Sequence, residues 1–315
     1  MLWRADISAS VWVSTTLPPK VINMKQYFDD GYNGVITSDD DVKKELLREI
    51  VYLKAEELMV WKNAVVMQGM DGLELKLMLP KTKRIDPQKI AEGARARYRK
   101  VDWFTINEVM EKESVELMIT DEAEARGLDS VQMRYSMIAA ARGLAWSKDC
   151  EIKEVITNAA GGTKQASGLW TDPTTDIASD VADCIGDIID NSELNEHTLG
   201  QLQIYYPAGL FAHLNKPVQI GEIKDTIRDY LGRQYDMSFN PTKQLGTSVN
   251  ILVPGEETAS HIFYTGQDIK LVESEREMGV GERYLITQLF KTFVMPEVEG
   301  GTTNSKIREI TDVRV

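Results

Sequence analysis

From Val131 to Asn158 the chain contains no proline, and Val131, Tyr135, Ile138, Ala141, Ala145, Ile152 and Val155 recur at helical spacing. A single helix of about 28 residues reaches roughly 40 Å at 1.5 Å per residue. That is well above the usual length of a globular helix. Asp129 or Ser130 starts it. Ala159-Ala160-Gly161-Gly162 ends it, and the glycine pair reads as a C-terminal stop and a hinge. Whatever folds around such a rod has one dimension fixed in advance.

The segments on either side are less regular. Residues 1–38 carry Pro18-Pro19, Gly31 and Gly34 among scattered aromatics, which reads as an extended arm with little core of its own. Ser38 and the acidic run Asp39-Asp40-Asp41 suit a helix N-terminus, and Leu46, Ile50, Leu53, Leu58 and Trp61 continue it. Leu73, Leu75, Leu77 and Leu79 alternate as in a strand, with a turn signal at Asp71-Gly72. Residues 101–120 are strand-like again, so the stretch between them reads as the tip of a long projecting hairpin. After the rod, Asp172–Asn191 reads as a helix with Pro173 in its first turn. Leu202–Tyr206 is a strand, Pro207–Leu214 a short helix and Ile220–Gly232 another helix. Val249–Val253, His261–Tyr264, Tyr284–Val294 and Ile307–Val315 are strands. The order is α+β, without the alternation of a parallel sheet.

Charge is distributed unevenly. The chain has 36 basic and 49 acidic residues, a net charge of −13. Such a surface is a poor general binder of nucleic acid, which demands phosphate-pairing cations. Residues 81–100 run against this balance. Lys81, Lys83, Arg84, Lys89, Arg95, Arg97, Arg99 and Lys100 face only Asp86 and Glu92, a local excess of +6. Asp172, Asp176, Asp180, Asp183, Asp187 and Asp190 recur at spacings of four and three, which places them on one helical stripe. Three readings of that stripe stand: a solvated face, a divalent-cation site, or a face that meets a basic surface on a neighbouring subunit. For the third, the counterpart is the basic stretch, so Lys81, Lys83, Arg84, Arg95, Arg97, Arg99, Lys100, Asp176, Asp180, Asp183 and Asp187 are candidate interface residues.

Signals for catalysis are missing. There is no phosphate-binding glycine loop, no nucleophile elbow and no paired-histidine zinc motif. His197, His213 and His261 stand far apart, as do Cys150 and Cys184, which read as buried thiols. No catalytic residue, metal ligand or cofactor is expected. No apolar run is long enough to cross a membrane. The opening residues do not read as a signal peptide, so synthesis in the cytoplasm is expected.

The run Ile119-Thr120-Asp121-Glu122-Ala123, then Gly127-Leu128-Asp129, then the long helix through Ala145 and Asp149 resembles the Hong Kong 97-type phage major capsid proteins, whose fold is shared with encapsulins. The resemblance implies an N-terminal arm and helix over 1–63 and an extended E-loop hairpin with peripheral-domain strands over 64–120. It further implies a spine helix over 121–162, an axial domain over 163–280 and C-terminal strands returning to the peripheral domain over 281–315. By the same resemblance the chain is a non-enzymatic subunit that assembles through pentamers and hexamers into an icosahedral shell. Such a shell encloses double-stranded DNA without sequence-specific binding, forms in the host cytoplasm and becomes the capsid of a virion. Scaffold, portal or cement proteins are the implied partners. An encapsulin shell around cargo enzymes is the alternative, and a metal-dependent enzyme using the Asp172–Asp190 stripe a remote one.

Overall fold

The proline-free run forms one helix. In a computed structural model, which describes residues 51, 53–81, 101–120, 122, 129–192, 201–220, 223–265, 270–277 and 281–314, helix α1 spans Asp129–Asn158. Its buried side is rotated from the expected stripe. Tyr135 is exposed, whereas Met137, Ala140, Ala141, Leu144, Ala145, Lys148, Asp149, Ile152 and Ile156 are buried. Lys148 and Asp149 complete the three-and-four spacing of this stripe, and two polar residues in the middle of it hide its phase from a hydrophobicity pattern. The expected arm and the helix opening at Ser38 lie outside the described residues, apart from residues 51 and 53–58, which are helical.

By compactness the chain divides into two units, residues 1–55, 114–143 and 269–287 in one and 56–113, 144–268 and 288–315 in the other. The described strands are β1 (Val66–Met70), β2 (Glu74–Pro80), β3 (Trp103–Val109), β4 (Glu111–Thr120), β5 (Thr163–Gln165), β6 (Leu202–Pro207), β7 (Pro217–Ile220), β8 (Ile223–Thr226), β9 (Met237–Thr242), β10 (Val249–Leu252), β11 (Ala259–Tyr264), β12 (Lys270–Glu277), β13 (Gly281–Val294) and β14 (Ile307–Thr311). Helices α2 (Ile177–Asn191), α3 (Phe211–Leu214) and α4 (Ile227–Tyr235) complete the mixed α+β set.

In the second unit, β1 runs parallel to β11, and β11 pairs antiparallel with the end of β13, Ser260 opposite Phe293. In the first unit, β12 pairs antiparallel with the start of β13, with a bulge between Val272 and Glu275. A separate sheet of the second unit has the order β5-β14-β10-β6-β9. The two strands of 281–315 belong to different sheets. β13 belongs to the first of these sheets, and β14 lies inside the other, between β5 and β10.

Strand β6 is buried along its whole length because both of its faces are covered. Leu202, Ile204 and Tyr206 join Val249, Ile251, Ile310 and Val313 against Ile177, Val181, Cys184, Ile185 and Ile188 of α2. Each such side chain contributes about 1.5–3 kcal/mol when fully removed from water. On the other face Tyr205 stacks on Trp61, ring centroids 4.0 Å apart. Trp61 opens a short 3-10 helix, Trp61–Ala64, which has no side-chain cap of its own. Asp149 of α1 supplies one: its two carboxylate oxygens accept from the backbone N–H of Val60 and of Trp61, both at 2.9 Å. Burial pushes the Asp149 carboxyl up, and those two N–H bonds hold it down in part.

Two expected helices are corrected. The first begins at Ile177, five residues after Asp172, because Asp172 turns back to accept from the N–H and hydroxyl of Thr174. Asp176 is the cap, accepting from Ser179 N at 3.1 Å. The second, Ile220–Gly232, is instead the hairpin β7–β8 followed by α4, which is capped by Thr226 accepting from Asp229 N.

The glycine pair after α1 is pinned rather than hinged. Gly161 N donates to Ile307 O at 2.9 Å, and Glu309 N donates to Gly162 O at 3.1 Å. A Cβ on Gly161 would lie 2.5 Å from Asn304 O and 2.8 Å from Ser305 Cα. Asn304, itself buried, donates its side-chain N–H2 to Glu257 O and Met295 O and its backbone N–H to Ala159 O, while its Oδ1 accepts from Lys306 N.

Two measurements check this account. Gly161→Ala should lower stability by about 2 kcal/mol through overpacking against backbone, whereas Gly186→Ala, in open space on α2, should raise it by up to about 1 kcal/mol. Denaturant melts of the pair would show opposite shifts. Asp149→Ala, which strips two buried N–H groups of their acceptor, should cost about 3 kcal/mol in the same assay.

Candidate assembly surfaces

The strand pair β2–β3 is an antiparallel ladder with Leu77 opposite Ile106 and Pro80 opposite Trp103. Lys81 N donates to Asp102 O at one end of it and Met110 N to Leu73 O at the other. The strands expected on either side of the charged stretch thus do pair, as an antiparallel two-stranded ribbon, and residues 82–100 between them lie outside the described residues. Alternation gives the hairpin two faces. Leu75, Leu77, Phe104 and Ile106 lie on the inner one, and Leu75 and Leu77 pack against a cluster of Met110, Ile262 and Phe293. The outer face leaves Met78 65%, Trp103 53% and Val109 56% exposed. A two-stranded ribbon is marginal alone, and exposed apolar groups of this size on one face suit burial by another surface. The sequence pattern missed this face because the leucine alternation points to the opposite one, and Leu73 falls in the turn.

The candidate charges are dispersed. Lys81 is already paired with Glu299 of its own chain. Lys83, Arg84, Arg95, Arg97, Arg99 and Lys100 lie outside the described residues. The aspartate stripe is broken, which corrects its reading as one uniform face. Asp172 precedes the helix and Asp176 caps it. Asp180 is buried: it accepts from Ser167 N at 3.1 and 3.2 Å and from Trp170 Nε1 at 3.0 Å. It sits about 40° from Cys184 around the helix, at the margin of the apolar side, so the fold takes it inward as an anchor for the 167–170 segment. Asp183 is ion-paired with Lys164. Asp187 is exposed, and its backbone carbonyl accepts from Arg308 at 3.1 Å.

Residues with chemical potential are spent on structure. His261 is buried with Nδ1 2.8 Å from Thr292 Oγ1, and burial, then the Lys148 charge, push it down to about 3. Its ring is therefore neutral at physiological pH. Cys184 is buried and pushed up to about 11, which removes thiolate reactivity. Cys150 is only half-buried. Among the described residues no three His, Cys, Asp or Glu side chains could together hold a metal ion, and no helix is long and apolar enough to cross a membrane.

A further set of charges ties α1 to the neighbouring strands. Thr292 N donates to Glu151 at 2.8 Å, Ser147 donates to Glu113 at 2.8 Å, and Lys291 pairs with Glu111. None of these was singled out from sequence, because single charges on a helix or strand carry no spacing signal.

No family model and no curated protein sequence matches the chain. Solved structures do. The virus-like particle of Pyrococcus furiosus aligns over 86% of this chain and 100% of that chain, with TM-score 0.60 and 13% identity. The holo-SrpI encapsulin complex of Synechococcus elongatus PCC 7942 aligns over 94% and 96%, with TM-score 0.53 and 8% identity. The capsid of Myoviridae phage XM1 aligns over 79% and 90%, with TM-score 0.52 and 9% identity. With its long helix, projecting hairpin and mixed sheets, the chain has the Hong Kong 97-type fold of capsid and encapsulin shell proteins.

Proposed function

We propose that this chain is the major capsid subunit of a virus and that it assembles through pentamers and hexamers into a closed icosahedral shell. The observation that carries the reading is the extent of the likeness: it runs through most of this chain and through the whole of a virus-like particle subunit. The outer face of the β2–β3 hairpin supports it, since Met78, Trp103 and Val109 present apolar surface that a neighbouring copy would cover. A closed shell repeats one heterologous contact many times, so modest contacts suffice.

The role is structural. The net charge of −13 suits a wall that encloses double-stranded DNA without gripping it. Assembly takes place in host cytoplasm, with scaffold, portal or cement proteins as partners, and ends in the virion. A second reading, an encapsulin shell around cargo enzymes, is favoured by the 94% coverage of this chain by an encapsulin. Genes beside this one discriminate the two: terminase and portal for a virus, a cargo enzyme for an encapsulin.

Negative-stain microscopy of the purified chain should show hollow particles, and a small, discrete oligomer would count against a shell. Met78→Asp combined with Trp103→Asp should abolish particles while leaving the circular dichroism and melting of the dispersed subunit near wild type. Arg95→Glu, Arg97→Glu and Arg99→Glu together should impair assembly in the same way if the basic stretch docks on a neighbour. Normal particles from the triple variant would remove it from the interface.

A further inference from the structure

A cavity of about 470 Å³ opens in the second unit between the inner face of β3, the last turn of α1 and the loop that follows β13. Phe104, Ile106, Val155 and Phe293 give it apolar walls, and Glu108 and Glu299 also line it. The two carboxylates are in different states. Glu299 is neutralised by Lys81. Glu108 is half-buried and has no hydrogen bond or ion pair with any described residue. The nearest cation, Lys291, is committed to Glu111 and also feels Glu151.

This is an incomplete electrostatic arrangement. A half-buried carboxylate gains from a counter-ion or hydrogen-bond donors, and among the described residues only the charge of Lys291, already shared with Glu111 and Glu151, acts on it. The surroundings restrict what can. A bare metal ion would keep its waters and find one carboxylate among hydrocarbon walls. The space is that of a small-molecule site. Its complement is a cationic head on a hydrocarbon stem, the head meeting Glu108 and the stem lying along the aromatic and aliphatic walls.

We propose that this cavity binds an alkylguanidinium or alkylammonium group, with Glu108 as its counter-ion and Phe104, Ile106, Val155 and Phe293 around its stem. Two sources carry that chemistry: a free small amine, and a basic side chain from the 81–100 stretch of a second copy. The cavity belongs to the fold of one chain, so the inference stands apart from the shell reading.

The test is calorimetric titration of the full chain with n-butylguanidinium. Saturable binding with one site per chain is expected, weakened at least tenfold in Glu108→Gln. Val155→Phe, which fills the cavity and leaves the carboxylate in place, should weaken it similarly and guards against a misfolded Glu108 variant. Binding should fade as pH falls, because burial pushes the Glu108 carboxyl up and its charged form is lost first. Lys291 on β13 acts on Glu108 and also on Glu111 of β4 and Glu151 of α1, Glu113 of β4 acts on Glu151, and Glu299, paired with Lys81, lines the cavity, so the decisive sign is that Glu108→Gln loses the pH dependence. A variant with Arg95, Arg97 and Arg99 all changed to Ala separates the sources. Tighter probe binding than wild type means that a second copy's arginine competes for the cavity, and equal binding means that the ligand is a free cation. Absence of saturable binding in both proteins, or binding unchanged in Glu108→Gln, overturns the proposal.

Discussion

The buried amide of Asn304 ties together parts of the second unit that no single sheet connects. Its three hydrogen bonds reach the end of β13, the loop before β11 and the start of β14, and the backbone N–H of the same residue reaches the end of α1. Each partner is a backbone group that a strand or helix end leaves unpaired, and burying such groups without partners costs about 1–3 kcal/mol each. Satisfying three of them from this side chain, and the one at the exit of α1 from the backbone N–H of the same residue, fixes the exit of α1, the register of β14 and the step from one sheet to the other. Gly161 is bare because this crossing is too close for a Cβ.

Asp149 plays a similar part within α1, nine residues before its end. Its carboxylate holds Val60 and Trp61, and the Trp61 ring lies flat on Tyr205. The rod is therefore attached by specific polar bonds as well as by apolar packing.

Much of this frame was legible in the sequence, and the gaps have physical causes. The bounds of α1 could be read because proline-free length and terminal glycines are local signals. Its phase could not, because Lys148 and Asp149 occupy core positions. Asp172 and Pro173 imitate a cap and first turn, but Asp172 closes on Thr174 and Asp176 caps the helix three residues ahead of its bond to Ser179. Ile220, Ile223, Ile227 and Leu231 have helical spacing, yet pairing of Val218 with Asp225 and the Thr226 cap decide for a hairpin first. The candidate interface was legible only as charge. Lys81 and Asp183 are paired within the chain, and the apolar hairpin face was hidden because Met78, Trp103 and Val109 are scattered over three turns of sequence. Glu108 could not be read at all, since its character comes from what surrounds it.

The position of β14 has a consequence for how the chain comes off the ribosome. In the sheet β5-β14-β10-β6-β9 the strand that comes last in sequence order, β14, is an inner one, and its neighbours on both sides are translated before it. Until residues 307–311 emerge, β10 keeps an open edge and β5 has no partner, while α2 lacks the Ile310 and Val313 side chains that complete its core. A nascent chain thus holds an unfinished sheet until β14 has emerged. Completion of this sheet therefore waits for β14, after every other strand in it has been made.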